Sequence, residues 1–518
     1  MLYTEKIVKM YHRRIISLFI LVFFLLSIPF LVAWLSQGDD YVFSGFLANP
    51  LDGNSYLAKM MGGYQGNWTF KLPYSIVPGE GSYIFLFYIL LGHIARVSRL
   101  EPIIVFHLSR LLAFIFLYYV LFRYISKLFE GDRDKIWPAF IVTALGSGMG
   151  WLAVLFAYKS SDLWVAEAFP FLSSYQNPHF ALGLGLMLLI LMLFYSGNLR
   201  STLFGIFLSG LFLAIILPFG AVVVGLVVFL EQTWCYMGKE EVFPKKVILL
   251  ISGTLPLVLY QFYLVNTHPE LGIWNSQNQT PSPPLWDFIL SFSPALILAV
   301  ISAITKFKGI RSGLFKVSIV WLILGLVIIY LPLGIQRRFM VGYYIPVSIL
   351  ASAFILTFES KKVRTVGFAA LLASSLLTIS IILLAGISGF STKNPLLLLT
   401  KPESDGLEWI KNNTRVDQGI LADSRMGLFI PARTSLRVIY GHPFETINAE
   451  NNKTIVDKFF ACEYTPDEAE ELIRKIPISY IFLNSSSPKY CYPGLFNRLE
   501  LVFRTGQDDR TVEIYGIK

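Results

Sequence analysis

The chain is predicted to be mainly α-helical: a polytopic membrane bundle of about eleven spans with a small soluble α/β domain at its C-terminus. Three observations carry that class. Of 518 residues, 55% are hydrophobic and only 15% charged, and the mean hydropathy is +0.60, as in multispanning membrane proteins. Apolar runs of span length recur through residues 1–390. From Ser391 onward the apolar blocks shorten, charge rises, and helix and strand signals alternate.

The elements follow in order. Lys6, Lys9, Arg13 and Arg14 precede an apolar run from Ile15 to Leu35. That run is long for a signal-peptide core and no small-residue cleavage site follows it, so it reads as an uncleaved first span. Residues 82–98 are short and carry His93 and Arg96, as expected of a helix lying at the outer face. Further spans are expected at 102–122, 136–157, 178–196, 247–264, 286–305, 315–333, 339–357 and 366–389. Residues 201–230 are too long for one helix, and Leu217-Pro218-Phe219-Gly220 breaks them, which predicts two short helices meeting at an external turn.

A net charge of +9 invites a nucleic-acid partner, but the cations sit in short loops at 123–135, 197–200, 236–246, 306–313 and 359–364. Loop 265–285 has neither Lys nor Arg. The positive-inside rule accounts for this distribution and excludes the nucleic-acid reading. It places the N-terminus in the cytoplasm, the first external loop at 36–100, and the C-terminal domain, 391–518, on the extracytoplasmic face of the plasma membrane.

In that domain Thr465-Pro466-Asp467-Glu468 is a capping box opening a helix through Arg474. Leu436–Tyr440, Ile478–Leu483 and Val512–Tyr515 read as strands. Three cysteines imply no disulfide framework. Cys462 and Cys491 share the C-terminal domain as either a pair or, the preferred reading, two free thiols.

The first loop holds Asp39, Asp40, Asp52 and Glu80. An acid at the membrane face can act as a base, because partial desolvation raises its basicity. Acids also solvate loops, and for Asp39 and Asp40 the two readings weigh equally. Asp52 opens Asp52-Gly53-Asn54-Ser55-Tyr56-Leu57-Ala58-Lys59-Met60, which closes on Gly66-Asn67-Trp68 with Pro73 beyond. An acid, then Tyr56, an Ala58-containing helix and Gly-x-Trp resemble the first external loop of the GT-C superfamily. These are polytopic glycosyltransferases that use lipid-phosphate sugar donors, such as those that put aminoarabinose on lipid A or mannose on proteins. A second acid in those enzymes lies near a Pro-rich helix start, the place of Pro78-Gly79-Glu80 here. Their acid pair often begins Asp-Glu, whereas Asp52 is followed by Gly53, so Asp40 or Glu80 would supply the second carboxylate.

The resemblance implies a polyprenyl-phosphate-sugar donor and a glycan, lipid or protein acceptor at an outward active site. Asp52, Asp40 and Glu80 would be the catalytic acids, and Asp39 and Tyr56 would help to bind substrate. Asp52 would take the acceptor's proton, with inversion by a single displacement. Some relatives hold a divalent cation at paired acids, a role Asp39-Asp40 would take, but no His/Cys/Asp cluster here has metal-ligand spacing.

Two further clusters face outward in this topology. Arg337 and Arg338 join two spans against the charge bias, and a guanidinium fork suits a donor phosphate. Snorkelling to lipid headgroups is the alternative use of such arginines. Glu167 and His179, the latter in Asn177-Pro178-His179, precede the span at 178–196 and would face the same substrate cavity. His442, in Tyr440-Gly441-His442-Pro443, reads as a turn histidine, with acceptor contact as the alternative. Gly146-Ser147-Gly148-Met149-Gly150 falls inside an expected span and reads as small-residue helix packing, not a phosphate loop. A polysaccharide polymerase or ligase is the first rival function, and a non-catalytic lipid-linked-sugar binding or transport protein the second. The early acids and the lack of paired half-chain repeats argue against them.

Overall fold

The computed structural model describes residues 2–197, 199–306, 313–484, 487–507 and 510–517. Lys308 and Arg311, counted above among the loop cations, lie outside the described residues. The chain forms two compact units. The first comprises Met1–Pro29, His107–Tyr260 and Thr280–Gly386; the second comprises Phe30–Phe106, Gln261–Gln279 and Ile387–Lys518.

Among the described residues six helices are long and apolar enough to cross a membrane: Arg13–Leu35, Pro102–Leu128, Pro218–Met237, Pro244–Thr267, Gln336–Ile355 and Lys361–Ser391. Leu285–Phe292 and Ala295–Thr305 meet at 86° and form a seventh if counted as one broken span. Leu86–Ser98, Pro178–Phe194, Arg200–Ile216 and Gly313–Ile328 are shorter apolar helices. The protein is an integral membrane protein, mainly helical, with a small sheet region towards its C-terminus.

The break expected at Leu217-Pro218 is present: one helix ends at Ile216 and the next begins at Pro218, whose missing N–H costs nothing at a first helical position. That second helix, Pro218–Met237, is span-length and not short as expected. The span expected at 136–157 is not continuous. Its helix, Arg133–Leu145, stops before Gly146, and the glycine stretch is a loop rather than a packed helix. Asp162 explains the stop. Its Oδ2 accepts from the backbone N–H of Gly148 (3.3 Å) and Gly150 (3.2 Å) and from the Ser147 hydroxyl (3.1 Å). A buried carboxylate thus offers those groups an alternative to helix carbonyls. Asp287 makes a matching set from Ser161, and the Ser291 Oγ lies between the two carboxylates, 2.8 Å from Asp287 and 3.3 Å from Asp162.

Lys127 and Lys246, two of the cations in the charge-bias argument, also do local work in the first unit. Lys127 donates to the carbonyls of Met192 (3.0 Å) and Tyr195 (2.9 Å). Lys246 donates to those of Phe194 (2.7 Å) and Ser196 (2.6 Å). These carbonyls lie in the last turn of the Pro178–Phe194 helix and just beyond it, at the negative end of its dipole.

Among the described residues the second unit has seven strands: β1 (Tyr41–Phe43), β2 (Leu398–Thr400), β3 (Gly419–Leu421), β4 (Arg437–Val438), β5 (Tyr480–Leu483), β6 (Glu500–Thr505) and β7 (Val512–Gly516). β1 pairs antiparallel with β2, Tyr41 opposite Thr400, which ties the start of the first loop to the segment after the last long helix. The other five form a mixed sheet in the order β4-β3-β5-β7-β6, parallel across β4-β3-β5 and antiparallel at β7. The expected strands are all present, though Leu436–Tyr440 contracts to Arg437–Val438. The Thr465 capping box forms on Pro466–Lys475, with Glu468 N–H to Thr465 Oγ1 at 3.3 Å and Thr465 N–H to Glu468 Oε2 at 2.8 Å. Cys462 and Cys491 form a disulfide, against the free-thiol expectation. Their spacing carried no signal, because pairing depends on the 5.8 Å Cα separation that the fold imposes.

The first loop supplies two helices to this unit, Pro50–Tyr64 and Leu86–Ser98. A Cβ on Gly63 would stand 2.0 Å from the Ile89 carbonyl oxygen, and one on Gly92 2.0 Å from that of Met60. The two helices therefore meet backbone to backbone. One continuous core runs from this pair to the sheet, through Leu57, Met60 and Tyr88 to Leu428, Ile430 and Phe482.

Candidate active site

Helix Pro50–Tyr64 starts sharply. Pro50 takes the first helical position and Asn49, at φ 46°, caps it. The Asn49 side chain then donates to Asp52 Oδ2 at 2.5 Å. Asp52 thus sits in the first turn, at the positive end of the helix dipole, with its side chain 43% exposed.

Helical spacing puts Tyr56 and Lys59 on the same face. Tyr56 stacks on Tyr88 with ring centroids 4.4 Å apart. Burial, with Tyr56 and Asp52 adding to it, pushes the Tyr88 phenol well above its ordinary value. Lys59 is buried and pairs with Glu445 at 2.6 Å, its ammonium also 4.5 Å from the Phe85 ring centre. Glu445 Oε2 accepts from Trp274 Nε1 at 3.2 Å. Burial opposes the Glu445 charge, yet Lys59, His442 and the Trp274 hydrogen bond outweigh it and hold the carboxyl below its ordinary value.

Segments far apart in sequence therefore converge: the first loop, helix Pro269–Gln277 and the 440–446 turn. Gln277 fixes that turn, donating to the Thr446 carbonyl (2.9 Å) and accepting from Asn448 N–H (2.6 Å). The Thr446 hydroxyl in turn accepts from His442 N–H at 3.1 Å. His442 Nδ1 accepts from the backbone N–H groups of Phe444 (3.1 Å) and Glu445 (3.2 Å). Its other nitrogen, Nε2, lies 3.9 Å from Asp52 Oδ1. Burial lowers the His442 pKa, against the pull of Glu445 and Asp52 and with that of Lys59, so the ring is neutral at pH 7.

Asp39 and Asp40 are exposed, and Asp40 pairs with Arg510 at 3.3 Å. Glu80 is exposed and its carbonyl contacts His268 Nε2 at 3.1 Å. Among the described residues neither Asp40 nor Glu80 is a polar partner of Asp52. Gly53, where the family pattern has Glu, leaves no room for one: a Cβ there would stand 2.5 Å from the Phe46 ring. In the first unit the Arg337 guanidinium lies 4.5 Å from the Trp164 ring centre and Arg338 5.3 Å from that of Phe219. Glu167 accepts Gly342 N–H at its carbonyl (2.8 Å), and His179 is buried with its ring 4.0 Å from that of Phe180. Lys59, Glu445 and Trp274 escaped the sequence reading: 386 residues separate the ion pair, and a single Lys in an amphipathic helix carries no signal of a partner.

The donor set does not fit a divalent cation. Among the described residues no three His, Cys, Asp or Glu side chains are placed to share one. No catalytic step is therefore assigned to a metal.

No family model matches the chain, and no curated protein matches it in sequence. Solved structures match its fold. The oligosaccharyltransferase of Archaeoglobus fulgidus in its apo form superposes with a TM-score of 0.52 at 13% identity, over 92% of this chain and 70% of that one. The same enzyme in complex with Zn and sulfate gives 0.53 at 13% identity, over 95% and 72%. ArnT from Cupriavidus metallidurans, bound to undecaprenyl phosphate, gives 0.52 at 11% identity, over 97% and 98%. These are GT-C membrane glycosyltransferases, and the chain has their fold.

Proposed function

We propose that the protein is a membrane glycosyltransferase that moves a sugar from a polyprenyl-phosphate donor to a glycan, lipid or protein acceptor on the extracytoplasmic face. One observation carries the reading: within a GT-C fold, Asp52 stands half-exposed at a helix N-terminus, fixed by Asn49 and faced by a buried histidine. ArnT, matched over nearly its whole length, was solved with undecaprenyl phosphate, a ligand of the proposed donor's class. The Cys462–Cys491 disulfide supports an oxidising, extracytoplasmic setting for residues 391–518, which we treat as the acceptor-binding domain.

In this mechanism Asp52 takes the proton of the acceptor hydroxyl as its oxygen bonds to the anomeric carbon. The bond from that carbon to the phosphate oxygen breaks with inversion, and polyprenyl phosphate leaves as an anion. Arg337 or Arg338 is assigned to the phosphate on the chemistry of its guanidinium fork. Glu167 and His179 are assigned to substrate binding on their place in the sequence, as are Asp39 and Tyr56. Asp40 and Glu80 are secondary candidates for the base.

The test uses purified protein in lipid discs, radiolabelled polyprenyl-phosphate sugars and a membrane extract as acceptor source. Asp52→Asn is expected to lower transfer about 100-fold or more while the protein stays folded. Undiminished transfer would move the base to Asp40 or Glu80. No transfer by wild type from any such donor would refute the glycosyltransferase reading.

A further inference from the structure

The chemistry assigned to Asp52 leaves one buried polar atom without a use. His442 is 2% exposed at its side chain, and its Nε2 has no hydrogen-bond partner among the described residues. An orphaned donor in a buried site costs about 1–3 kcal/mol, so its persistence asks for a ligand or a task. Its neighbours narrow the choice. The Tyr74 ring lies 5.8 Å away and the Phe444 ring 6.2 Å away, both by centroid, and the Tyr74 hydroxyl is spent on the Leu428 carbonyl. Lys59 and Glu445 are engaged with each other. The polar group that Nε2 faces is Asp52 Oδ1, 3.9 Å away.

The tautomer is fixed by the backbone. Nδ1 accepts two N–H groups, so the proton of the neutral ring sits on Nε2 and points at the carboxylate. On the far side of that carboxylate, Asn49 already donates to Oδ2. Asp52 Oδ2 therefore accepts from its own helix cap, while Oδ1 faces the 440–446 turn across 3.9 Å.

We propose that His442 is a positioning residue for Asp52: a neutral N–H donor, locked in one tautomer by its turn, that hydrogen-bonds Oδ1 when substrate closes the 3.9 Å gap. Gaps of this kind commonly tighten in a substrate complex. The bond would hold the carboxylate in one rotamer, leaving the remaining lone pairs for the acceptor hydroxyl. A neutral donor can do this without neutralising the base, which an ammonium such as Lys59 would tend to do. This inference rests on the proposed glycosyl transfer with Asp52 as base.

The experiment measures steady-state sugar transfer in lipid discs for wild type, His442→Ala and His442→Gln, and for each substitution in an Asp52→Asn background. His442→Ala is expected to lower kcat about tenfold or more while donor and acceptor KM stay within about threefold. His442→Gln carries an amide N–H at the same reach and is expected to recover kcat to within about threefold of wild type. In the Asp52→Asn background, His442→Ala should change the residual rate less than about twofold, because the group it positions is already gone. A merely structural role would give similar losses in both backgrounds and no rescue by Gln, and either result overturns the inference. A change confined to KM overturns it too. Transfer by wild type that is indifferent to His442 refutes this inference alone, whereas a wild type inactive with every donor refutes the glycosyltransferase reading and this one with it.

Discussion

Lys59→Met isolates what the buried ion pair contributes. The ammonium is 1% exposed and the Glu445 carboxylate 10% exposed, with 2.6 Å between them. At an effective dielectric of about 20, attraction at that distance is about 6 kcal/mol before desolvation is subtracted. Methionine keeps most of the stem's volume but leaves Glu445 buried with the Trp274 indole N–H as its remaining side-chain donor among the described residues. Breaking a buried pair on one side costs about 3–5 kcal/mol, because a charge is left uncompensated. In a unit of this size about 1 kcal/mol moves a melting temperature by about 2–4 °C, so the variant should melt about 6–20 °C lower. Thermal unfolding of the protein in lipid discs, followed by tryptophan fluorescence, measures it. Lys59→Met/Glu445→Gln removes both charges while keeping an acceptor for Trp274, and should regain most of the loss. A single variant that melts within about 2 °C of wild type (about 1 kcal/mol or less) would refute the reasoning. So would a double variant no more stable than the single one, since the cost would then be packing and not charge.

Two further predictions concern the same unit. Cys462→Ser opens a loop closed over 29 residues, and on the chain-entropy account should lower stability by about 3–4 kcal/mol, read as a lower melting temperature that reducing agent reproduces in wild type. The second is a pH dependence. His442 has its folded pKa lowered from 6.5 chiefly by burial, so the unfolded chain binds the proton more readily and stability falls as pH drops below 6.5. Glu445, depressed below 4.5 despite its burial, adds a second loss only below that value. Between about pH 7.5 and about pH 5.0 wild type should therefore lose more in melting temperature than His442→Gln. Equal losses would show that His442 does not titrate with unfolding.

What was legible in the sequence was local. Among the described residues, six span-length helices of the eleven spans expected, the Leu217-Pro218 break, the Thr465 capping box and the three strands each depend on neighbours within a few residues, so periodicity and capping chemistry found them. What failed depended on partners on other elements. Gly146–Gly150 was read as helix because its own residues are apolar and small, while the carboxylate that unwinds it, Asp162, lies on another element. The Cys462–Cys491 bond likewise depends on how the turn after helix Ala449–Phe460 meets the short helix Ser487–Cys491.

The candidate site shows both cases in one place. Asp52 and Tyr56 were singled out by the motif that resembles the GT-C first loop, and one helix, begun at Asn49-Pro50, holds both. His442 was read as a turn residue, and Nδ1 does serve its turn; the other nitrogen is what the sequence left unassigned. One side chain thus spends each nitrogen on a different range of structure, the local one predictable and the distant one not. The position after Asp52 follows the same logic. Gly53 sits where a Glu would stand in the family pattern, and the Phe46 ring fills the space its Cβ would need. Among the described residues Asp52 accepts from a helix-cap amide and has a neutral imidazole 3.9 Å away. Neither brings a second negative charge beside the base, and neither forms part of a metal-ligand set among the described residues. For the Asp52 base proposed above, placement by hydrogen bonds and membership of a metal-binding acid pair are separable readings. The two differ in the loss on His442→Ala, which placement makes large while Asp52 is intact and abolishes once Asp52→Asn has removed the carboxylate.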